Sequence, residues 1–252
     1  MVRSLIYPVG VTDACRFAVA MLKKQGIQFV DHPTPEVTHL LLDVPSFGAD
    51  GMLRGGGDLT YILDMLPTNL SIIGGNLTHP SVERYQTIDL LKEEAYLALN
   101  AAITADCALQ VAAPLLTTTF CDTPTLIIGW GRIGKCLGQL LHSVGAEVMI
   151  AARKETDRAM IRALGFRAVD LRELNRILPG CRLLFNTVPT LLLHETELRS
   201  SSNCVKIDLA SKPGIVGDDV IWARGLPGMY APESSGRLIA ESILRLSGEG
   251  LK

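Results

Sequence analysis

The sequence predicts an α/β protein made of two doubly wound, mainly parallel sheets. The first observation is that short apolar runs rich in β-branched residues alternate with amphipathic helical segments in both halves of the chain. The second is a glycine-rich turn between an apolar strand and a helix within residues 125–154. The third is the length of 252 residues, which allows two compact domains.

The composition is that of a folded protein without an obvious nucleic-acid or membrane partner. Hydrophobic residues make up 48% and charged residues 20% of the chain. The 24 basic and 26 acidic residues form no basic tract, which argues against nucleic-acid binding. Polar residues interrupt the apolar stretch at 95–121, so we expect no membrane span there. The six cysteines are scattered without a C-x-x-C pair, which predicts reduced thiols in a cytoplasmic protein.

The first half predicts a small parallel domain. Strands are expected at 5–7, 27–30, 39–44 and 70–73, and helices at 12–24, capped by Thr12, and at 59–66. The third strand is a continuous apolar run, which predicts a central position in the sheet. Residues 46–58 are rich in glycine but lack the Lys-Ser/Thr ending of a phosphate-binding P-loop, which favours a surface loop over a phosphate cradle.

A long helix over residues 88–113 is predicted to join the domains, which are set at 1–98 for substrate or partner and 99–252 for the dinucleotide. The helix is apolar nearly all round, which predicts burial on every side. Its polar exceptions include Thr104 and Asp106. One hypothesis assigns these two residues to a substrate cleft between the domains, and the other has their side chains satisfied within or beside the helix.

The glycine-rich turn has the dinucleotide fingerprint G-x-G-x-x-G. An apolar run at 126–128 precedes it, an amphipathic helix follows, Gly145 ends that helix, and a second apolar run covers 148–150. In this context the first glycine allows the tight turn, the second allows close approach of a pyrophosphate, and the third allows close packing of helix on strand. The turn therefore predicts cofactor binding by six consecutive residues: Gly129, Trp130, Gly131, Arg132, Ile133 and Gly134. The alternative is a turn kept for packing alone.

The end of the second strand of this unit indicates which nucleotide binds. NAD-preferring domains usually have an acid there, but this chain reads Ala151-Ala152-Arg153-Lys154 and its next acid is Glu155. Two adjacent cations suit a 2′-phosphate. The sequence thus predicts NADP, with NAD as second choice, and the alternative is that Arg153 and Lys154 form a solvated loop.

The remaining predicted elements are helices at 157–164 and 170–178, strands at 166–169, 183–185, 205–209 and 228–230, and a last helix at 234–246 that packs back. Because ligands bind beyond the carboxyl ends of parallel strands, polar residues there are site candidates. For the cofactor these are Asn186, Thr187, Val188, Pro189 and Ala210. For the substrate they are Ser211, Lys212, Ser234 and Ser235, together with Thr104 and Asp106 on the long helix.

No catalytic residue is identified outright, and the candidates are Lys212, Glu233 and Thr104. Lys212 could hold a substrate carboxylate. Glu233 is either an acid–base group or a first-turn residue favoured by the helix dipole. The five histidines show no metal-ligand spacing, so no metal site is expected.

These motifs together resemble the dipicolinate synthase family, in the subunit of that enzyme that is designated A. The resemblance rests on the fingerprint with Ala151-Ala152-Arg153, on Asn186-Thr187-Val188-Pro189, and on three later runs that match in order and spacing. Those runs read I-D-L-A-S-K-P-G at 207–214, L-P-G at 226–228 and A-P at 231–232. The match is good over residues 100–246 and poor over the first hundred.

The resemblance implies an enzyme that binds NADP(H) or NAD(H) and works with a flavoprotein-like second subunit. It further implies oxidation of dihydrodipicolinate to dipicolinate, a metabolite of sporulating bacteria, with hydride leaving the dihydropyridine ring as that ring becomes aromatic. A homodimer is a further option for assembly.

Three alternatives remain open. A D-2-hydroxyacid dehydrogenase needs an Arg after the 205–209 strand and a late His, and no His follows His194. A shikimate dehydrogenase would use Arg153 but needs a Lys–Asp pair that the first domain does not show in a matching motif. A non-catalytic nucleotide-binding subunit would keep the fingerprint and lose the substrate groups.

Overall fold

The computed structural model of the chain describes residues 4–48 and 50–247. The chain forms two compact units, one from residues up to Asn100 together with those from Pro227 onward, and one from Ala101–Leu226. The predicted domains of 1–98 and 99–252 differ from these units in the last segment. That segment lies with the first unit because the C-terminal helix packs on the first helix of the chain, so closely that a Cβ at Gly236 would lie 2.6 Å from the Ala14 carbonyl oxygen.

The first unit contains a five-stranded parallel sheet in the order β2-β1-β3-β4-β5. Its elements up to the long helix are β1 Leu5–Pro8, α1 Asp13–Lys24, β2 Gln28–Phe29, β3 His39–Leu41, α2 Leu59–Asp64, β4 Ser71–Gly74 and β5 Gln86–Asp89. The apolar third strand is central, as predicted, and Thr12 caps α1 by accepting a hydrogen bond from the Cys15 amide. One apolar layer, centred on Leu40, Leu42 and Ile72, covers a face of the sheet.

The second unit contains a six-stranded parallel sheet in the order β11-β10-β9-β6-β7-β8, which is the doubly wound Rossmann order. The long helix α3 Glu94–Ala112 runs from the first unit into the second. The elements that follow are β6 Thr125–Ile128, α4 Arg132–Ser143, β7 Val148–Ala152, α5 Glu155–Ala163, β8 Arg167–Asp170, α6 Leu174–Ile177, β9 Leu183–Asn186, α7 Glu195–Leu198, β10 Val205–Asp208, β11 Val220–Trp222 and α8 Leu226–Tyr230. The last helix, α9 Pro232–Ser247, belongs to the first unit. The predicted fold class, two doubly wound parallel-sheet domains with a Rossmann unit second, is confirmed.

The long helix differs from its prediction. It begins at Glu94, because the predicted first residues instead form the edge strand β5, which pairs with β4, and a 3₁₀ turn over Leu90–Lys92. It is not buried on every side, since Leu99 is 54% exposed and Asp106 is exposed. The apolar composition of the helix therefore predicted more burial than the structure shows.

One helix within residues 4–48 and 50–247, Glu94–Leu115, is long and apolar enough to cross a membrane by length and composition. A single helix of this kind is weak evidence for a span, because core helices of soluble proteins meet the same criterion.

The predicted strand at 228–230 is wrong, because these residues belong to the short helix α8. The last strand of the sheet is instead β11, which pairs with β10 at the sheet edge. β11 has only three residues, and Ile221 and Trp222 are exposed, so its alternation is too short to be recognised from sequence.

Candidate dinucleotide-binding site

The second unit has a cleft of about 290 Å³ at the carboxyl ends of β6 and β7. Strand order reverses between β6 and β9, and ligands of doubly wound sheets bind at such a switch point. The cleft is lined by residues of the fingerprint turn, the β7 end, α5 and the loop after β9: Gly129, Trp130, Ala151, Ala152, Arg153, Lys154, Asp157, Leu171, Val188, Thr190 and Leu192.

Two fingerprint glycines are required by the packing around the turn. Gly129 has φ +109°, and a Cβ there would lie 2.3 Å from the Thr187 hydroxyl oxygen. A Cβ at Gly134 would lie 2.2 Å from the Gly129 carbonyl oxygen, so the α4 backbone rests directly on the turn. These contacts bring the start of α4 to the end of β6.

Gly131 differs from the other two because no contact among the described residues requires a glycine there. Apart from its neighbours in the chain, a Cβ at Gly131 would meet no described atom within 4 Å. It is also the N-cap of α4 and makes no side-chain capping bond, so the first amides of the helix are not capped by a side chain. Open space beside uncapped amides at the positive end of a helix dipole is suited to a pyrophosphate.

Trp130 forms one wall of the cleft. Its ring meets Phe166 edge to face, with centroids 6.2 Å apart, and the Lys135 ammonium lies 5.8 Å from the Trp130 ring centroid. Arg132 is exposed at the first position of α4, and Ile133 is half-buried behind it. The predicted cofactor role of Arg132 and Ile133 stays a prediction.

Arg153 and Lys154 follow β7 and are exposed at the cleft. Neither forms an ion pair with another residue in the described part of the chain. Lys154 is the N-cap of α5 and makes no side-chain capping bond, so this helix also begins uncapped beside the cleft. Two cations and a helix start together create a positive rim.

The acid that follows them, Glu155, is engaged elsewhere. Its carboxylate accepts a hydrogen bond from Arg158 Nε at 3.0 Å and another from Arg162 Nη2 at 2.5 Å. These bonds, that of Arg162 first, hold the pKa of Glu155 below its usual value. Glu155 is therefore occupied by arginines rather than open to a ribose hydroxyl.

Sequence reasoning missed Asp157, which lines the same cleft from the first turn of α5. The signal was present, because a residue three positions after an N-cap projects near the helix start. The rim thus holds two cations and one carboxylate.

Asn186 acts within the protein rather than at the cleft surface. It is fully buried, and its amide nitrogen donates to Asp208 Oδ1 at 2.8 Å and to the Val188 carbonyl at 3.0 Å. The neighbouring Thr187 hydroxyl donates to the Ile128 carbonyl at 3.0 Å. Val188 lines the cleft and Pro189 is exposed beside it, so the predicted cofactor contact of this loop rests on Val188 and on backbone groups.

Asp208 lies within the I-D-L-A-S-K-P-G run, where the sequence alone assigns it no role, and it organises the next loop. It is fully buried and accepts hydrogen bonds from the Asn186 amide and from the backbone amides of Ala210, Gly214 and Ile215, at 2.7–3.1 Å. Each of its two carboxyl oxygens accepts two of these hydrogen bonds, so neither is left unsatisfied in this buried position. Asp208 therefore holds the backbone of the loop after β10 in place.

That fixed loop displays Lys212. Ser211 and Lys212 are exposed, and Lys212 forms no ion pair with any residue of the described ranges. Ala210 is buried, and its carbonyl accepts from Trp222 Nε1 at 3.0 Å. Lys212 is thus an exposed cation on a loop whose backbone is hydrogen-bonded to Asp208, which suits it to a carboxylate ligand.

The other candidates are divided between the units. Thr104 is buried and Asp106 exposed on the part of α3 in the second unit. At the start of α9 in the first unit, Ser234 is exposed and Ser235 is buried, and Glu233 lies 3.5 Å from Arg237. The described residues contain no group of three or more His, Cys, Asp and Glu that could hold a metal ion.

Comparison with known proteins supports the resemblance. No family model matches the chain. The dipicolinate synthase subunit designated A, from Bacillus subtilis strain 168, is 25% identical over 202 residues, covering 74% of this chain and 68% of that protein.

Two solved structures place the fold. The same dipicolinate synthase subunit from Bacillus halodurans superimposes with a TM-score of 0.86 at 19% identity, covering 99% of both chains. An L-alanine dehydrogenase superimposes with a TM-score of 0.65 at 13% identity, covering 98% of this chain and 91% of the other. The chain is therefore similar in sequence and fold to this subunit of dipicolinate synthase, and its fold of two doubly wound parallel sheets is also similar to that of the L-alanine dehydrogenase.

Proposed function

We propose that this protein is an oxidoreductase that binds NADP and transfers hydride between the nicotinamide and a dihydrodipicolinate-like dicarboxylate. The observation that carries the proposal is the cleft at the β6/β9 switch point, with open space at Gly131 and an uncapped α4 start. When bound, the nicotinamide ring would supply the carbon that accepts or gives hydride. The chain itself holds and orients the two reactants.

The dinucleotide is assigned to the fingerprint by the fit of its phosphates. The α4 amides and the space at Gly131 suit the pyrophosphate, and Val188 contributes the facing wall. Arg153 and Lys154 would bind a 2′-phosphate, since neither is neutralised by another described residue. NAD is the second choice, and Asp157 is the group through which its ribose hydroxyls would be held.

The proposed substrate follows from Lys212 and from the relative. Dipicolinate synthase is named for its product, and an exposed lysine on a fixed loop suits a carboxylate of such a diacid. Ser211, Thr104, Asp106, Ser234 and Ser235 are proposed substrate contacts. Oxidation of the dihydropyridine to the pyridine would transfer one hydride to the oxidised nicotinamide and release one proton to water or to one of the catalytic candidates Lys212, Glu233 and Thr104. Because aromatisation drives the reaction, it needs little further acid–base help.

The assembly is also a proposal. Because the relative's name marks it as one subunit of an enzyme, we propose that the chain works with a flavoprotein-like second subunit in the cytoplasm, and that homodimer formation is the other option. Purification of the chain under native conditions, followed by identification of any co-purifying protein and its flavin absorbance, would test this, and a chain active alone would contradict it.

Parallel calorimetric titrations with NADPH and NADH test the nucleotide assignment. We expect tighter binding of NADPH, and a loss of about 1–3 kcal/mol in Arg153→Ala, the size of a charged hydrogen bond. Arg199→Ala is the matched control, because Arg199 is also exposed in the second unit but lines a different cleft with Glu195 and Asp218. Equal binding of NADH would remove the NADP assignment, and binding of neither nucleotide would contradict the cofactor.

A second function is favoured by one specific observation. The only ionisable side chains among the described residues that line the cleft are Arg153, Lys154 and Asp157, so none lies at its β9 side. A nucleotide-binding subunit without its own turnover would have such a cleft. Binding of NADPH without any oxidation of dihydrodipicolinate, whether or not the second subunit is present, would favour this function over the first.

A further inference from the structure

We propose that Arg158 sets the preference for a phosphorylated ribose by neutralising two carboxylates, Glu155 and Asp170, at the ribose end of the cleft. Arg158 is a positioning residue in this proposal, because it acts on Arg153 and on the two acids rather than on the nucleotide. The inference rests on the proposed NADP function and specifies which residue outside the cleft lining decides between NADP and NAD.

Arg158 contacts both acids at once. Its Nε donates to Glu155 Oε2 at 3.0 Å, and its Nη1 lies 3.0 Å from Asp170 Oδ2. Its side chain is 12% exposed, compared with 52% for Arg162 and 87% for Arg172, which pair with Glu155 and Asp170 respectively. Exposed pairs are weakened by solvent and salt, so the shared, mostly buried arginine is the durable counter-charge.

The ribose end of the cleft is the part beside the end of β7, where the nucleotide ribose is expected. The sheet register brings both acids to this end. Asp170 ends β8 directly opposite Ala152, the last residue of β7, and Glu155 begins α5 three residues after Ala152. Ala152 and Arg153 themselves line the cleft. Without a counter-charge, these two carboxylates would repel a 2′-phosphate and could accept ribose hydroxyls, which is the arrangement that favours NAD.

Arg158 also fixes the backbone that carries Arg153. Its Nη1 donates to the Ala152 carbonyl at 2.9 Å and to the Arg153 carbonyl at 2.7 Å. The planar guanidinium thus joins the end of β7 to α5 and β8, an arrangement that a lysine could not reproduce. The turn is held with the Arg153 side chain exposed at the cleft and without an acidic partner of its own among the described residues.

Other arginines share in neutralising these two acids. The pKa of Asp170 lies well below its usual value, first because of hydrogen bonding to Arg172 and then with a contribution from the Arg158 charge. Both acids are therefore ionised at neutral pH, and their effect on a phosphate depends on which cations remain beside them. The lining carboxylate Asp157 is not contacted by Arg158, so its charge is a constant background in a comparison of variants.

The test measures dissociation constants for NADPH and NADH by titration in four proteins at low salt. These are the wild type, Arg158→Met, the triple variant Arg158→Met with Glu155→Gln and Asp170→Asn, and the control Arg172→Met, which removes an exposed partner of Asp170 alone. We expect Arg158→Met to lower the NADPH-to-NADH affinity ratio about tenfold, because two charges near a phosphate lose their shared counter-ion. The control should change the ratio less than about twofold.

The triple variant separates charge from simple loss of structure. If Arg158 acts as proposed, removing both carboxylates restores the ratio toward the wild-type value even though the arginine is absent. Equal loss of NADPH and NADH affinity in Arg158→Met, or a ratio that the triple variant does not restore, overturns the proposal. A thermal unfolding curve for each variant verifies that the proteins compared are folded.

The wild-type measurement distinguishes the two levels of proposal. A wild type that binds both nucleotides equally overturns the role of Arg158 and the NADP assignment, but leaves dinucleotide binding intact. A wild type that binds neither overturns the proposed function and the inference together. A wild type that prefers NADPH, combined with an unchanged ratio in Arg158→Met, overturns the inference alone.

Discussion

The two units solve the same structural problem, the start of a helix beyond a parallel strand, in opposite ways. In the first unit, side chains of the chain itself cap the starts of three helices. Thr12, which is bonded to Asp43, caps α1, Asp58 caps α2 and Glu93 caps α3. In the second unit, the two helices that border the cleft, α4 and α5, begin without a side-chain cap at Gly131 and Lys154. Uncapped amides remain available to an external anion.

The contrast is sharpest at the two switch points. The first sheet has its switch point between β1 and β3, and the position where a ligand would meet α1 is occupied by the Asp43 carboxylate. Asp43 is 3% exposed and accepts from the Val11 amide, the Thr12 amide and the Thr12 hydroxyl. A carboxyl group of the chain itself therefore fills one switch point, and the other is open beside uncapped helix amides, which suits an external phosphate. This difference supports our proposal that the second unit binds the nucleotide, although both units have similar sheets.

The largest expected effect comes from Gly134→Ala, which would break the packing of the second switch point. The new Cβ would lie 2.2 Å from the Gly129 carbonyl oxygen, which is backbone and cannot move aside without shifting the turn. We expect a loss of about 3 kcal/mol in the free energy of unfolding, measured by urea denaturation, and loss of nucleotide binding. Gly138→Ala is the control, because its nearest contact is the movable Ile150 Cδ1 at 3.1 Å. Equal stability of the two variants would contradict the close-packing argument.

Asp43→Ala would break the first switch point. It removes a buried acceptor and leaves two backbone amides and the Thr12 hydroxyl, which are only partly buried, without that hydrogen-bond partner, so we expect the free energy of unfolding to fall by about 1–3 kcal/mol. Nucleotide affinity should not change, because the second unit binds the nucleotide in our proposal. Asp31→Ala, at a side chain 96% exposed, is the control for loss of a carboxylate. A nucleotide affinity that falls with Asp43→Ala would indicate that the first unit takes part in binding.

Gly131→Ala would sharpen the comparison, because it separates binding from stability. A Cβ at Gly131 meets no atom of the rest of the described structure within 4 Å, so the free energy of unfolding should change by less than about 1 kcal/mol. The same methyl group would occupy the space assigned to the pyrophosphate, and we expect nucleotide affinity to fall about tenfold or more. Unchanged affinity would show that no ligand approaches this turn closely.

Much of the fold is predictable from sequence because it depends on local patterns. The strand–turn–helix–strand unit around Gly129–Gly134 is recognisable because apolar period and glycine spacing agree along the whole unit. β5 escapes prediction because Ile88 and Leu91 are three residues apart, which fits a helical period, and pairing of β5 with β4 decides otherwise. The edge strand β11 escapes it because three residues carry too little pattern.

The site is predictable only in part, because sequence identifies groups that can bind and cannot show which of them are already satisfied. Asn186 is a predicted cofactor contact, but its amide is used on Asp208 and Val188. Glu155 and Arg158 give no signal, since their interaction joins α5 to β8, and that contact requires the folded sheet. Whether one side chain neutralises another depends on the distance between them in the folded protein, which the sequence alone does not give.

The smallest expected effect concerns the capped start of α3 and depends on pH. Hydrogen bonding to Arg245 above all, followed by the Tyr96 amide, lowers the pKa of Glu93 from its ordinary 4.5 to about 2. Because the folded-state pKa is depressed, the stabilisation is present above about pH 4.5 and is lost as the pH falls toward about 2. We therefore expect the difference in urea midpoint between the wild type and Arg245→Ala to shrink over this range.

Arg237→Ala, which removes the 3.5 Å surface pair with Glu233 on the same helix, should differ little from the wild type at any pH. A difference for Arg245→Ala that stays constant from about pH 5 to about pH 2 would mean that Arg245 stabilises α9 by packing and not by holding the charged cap of α3.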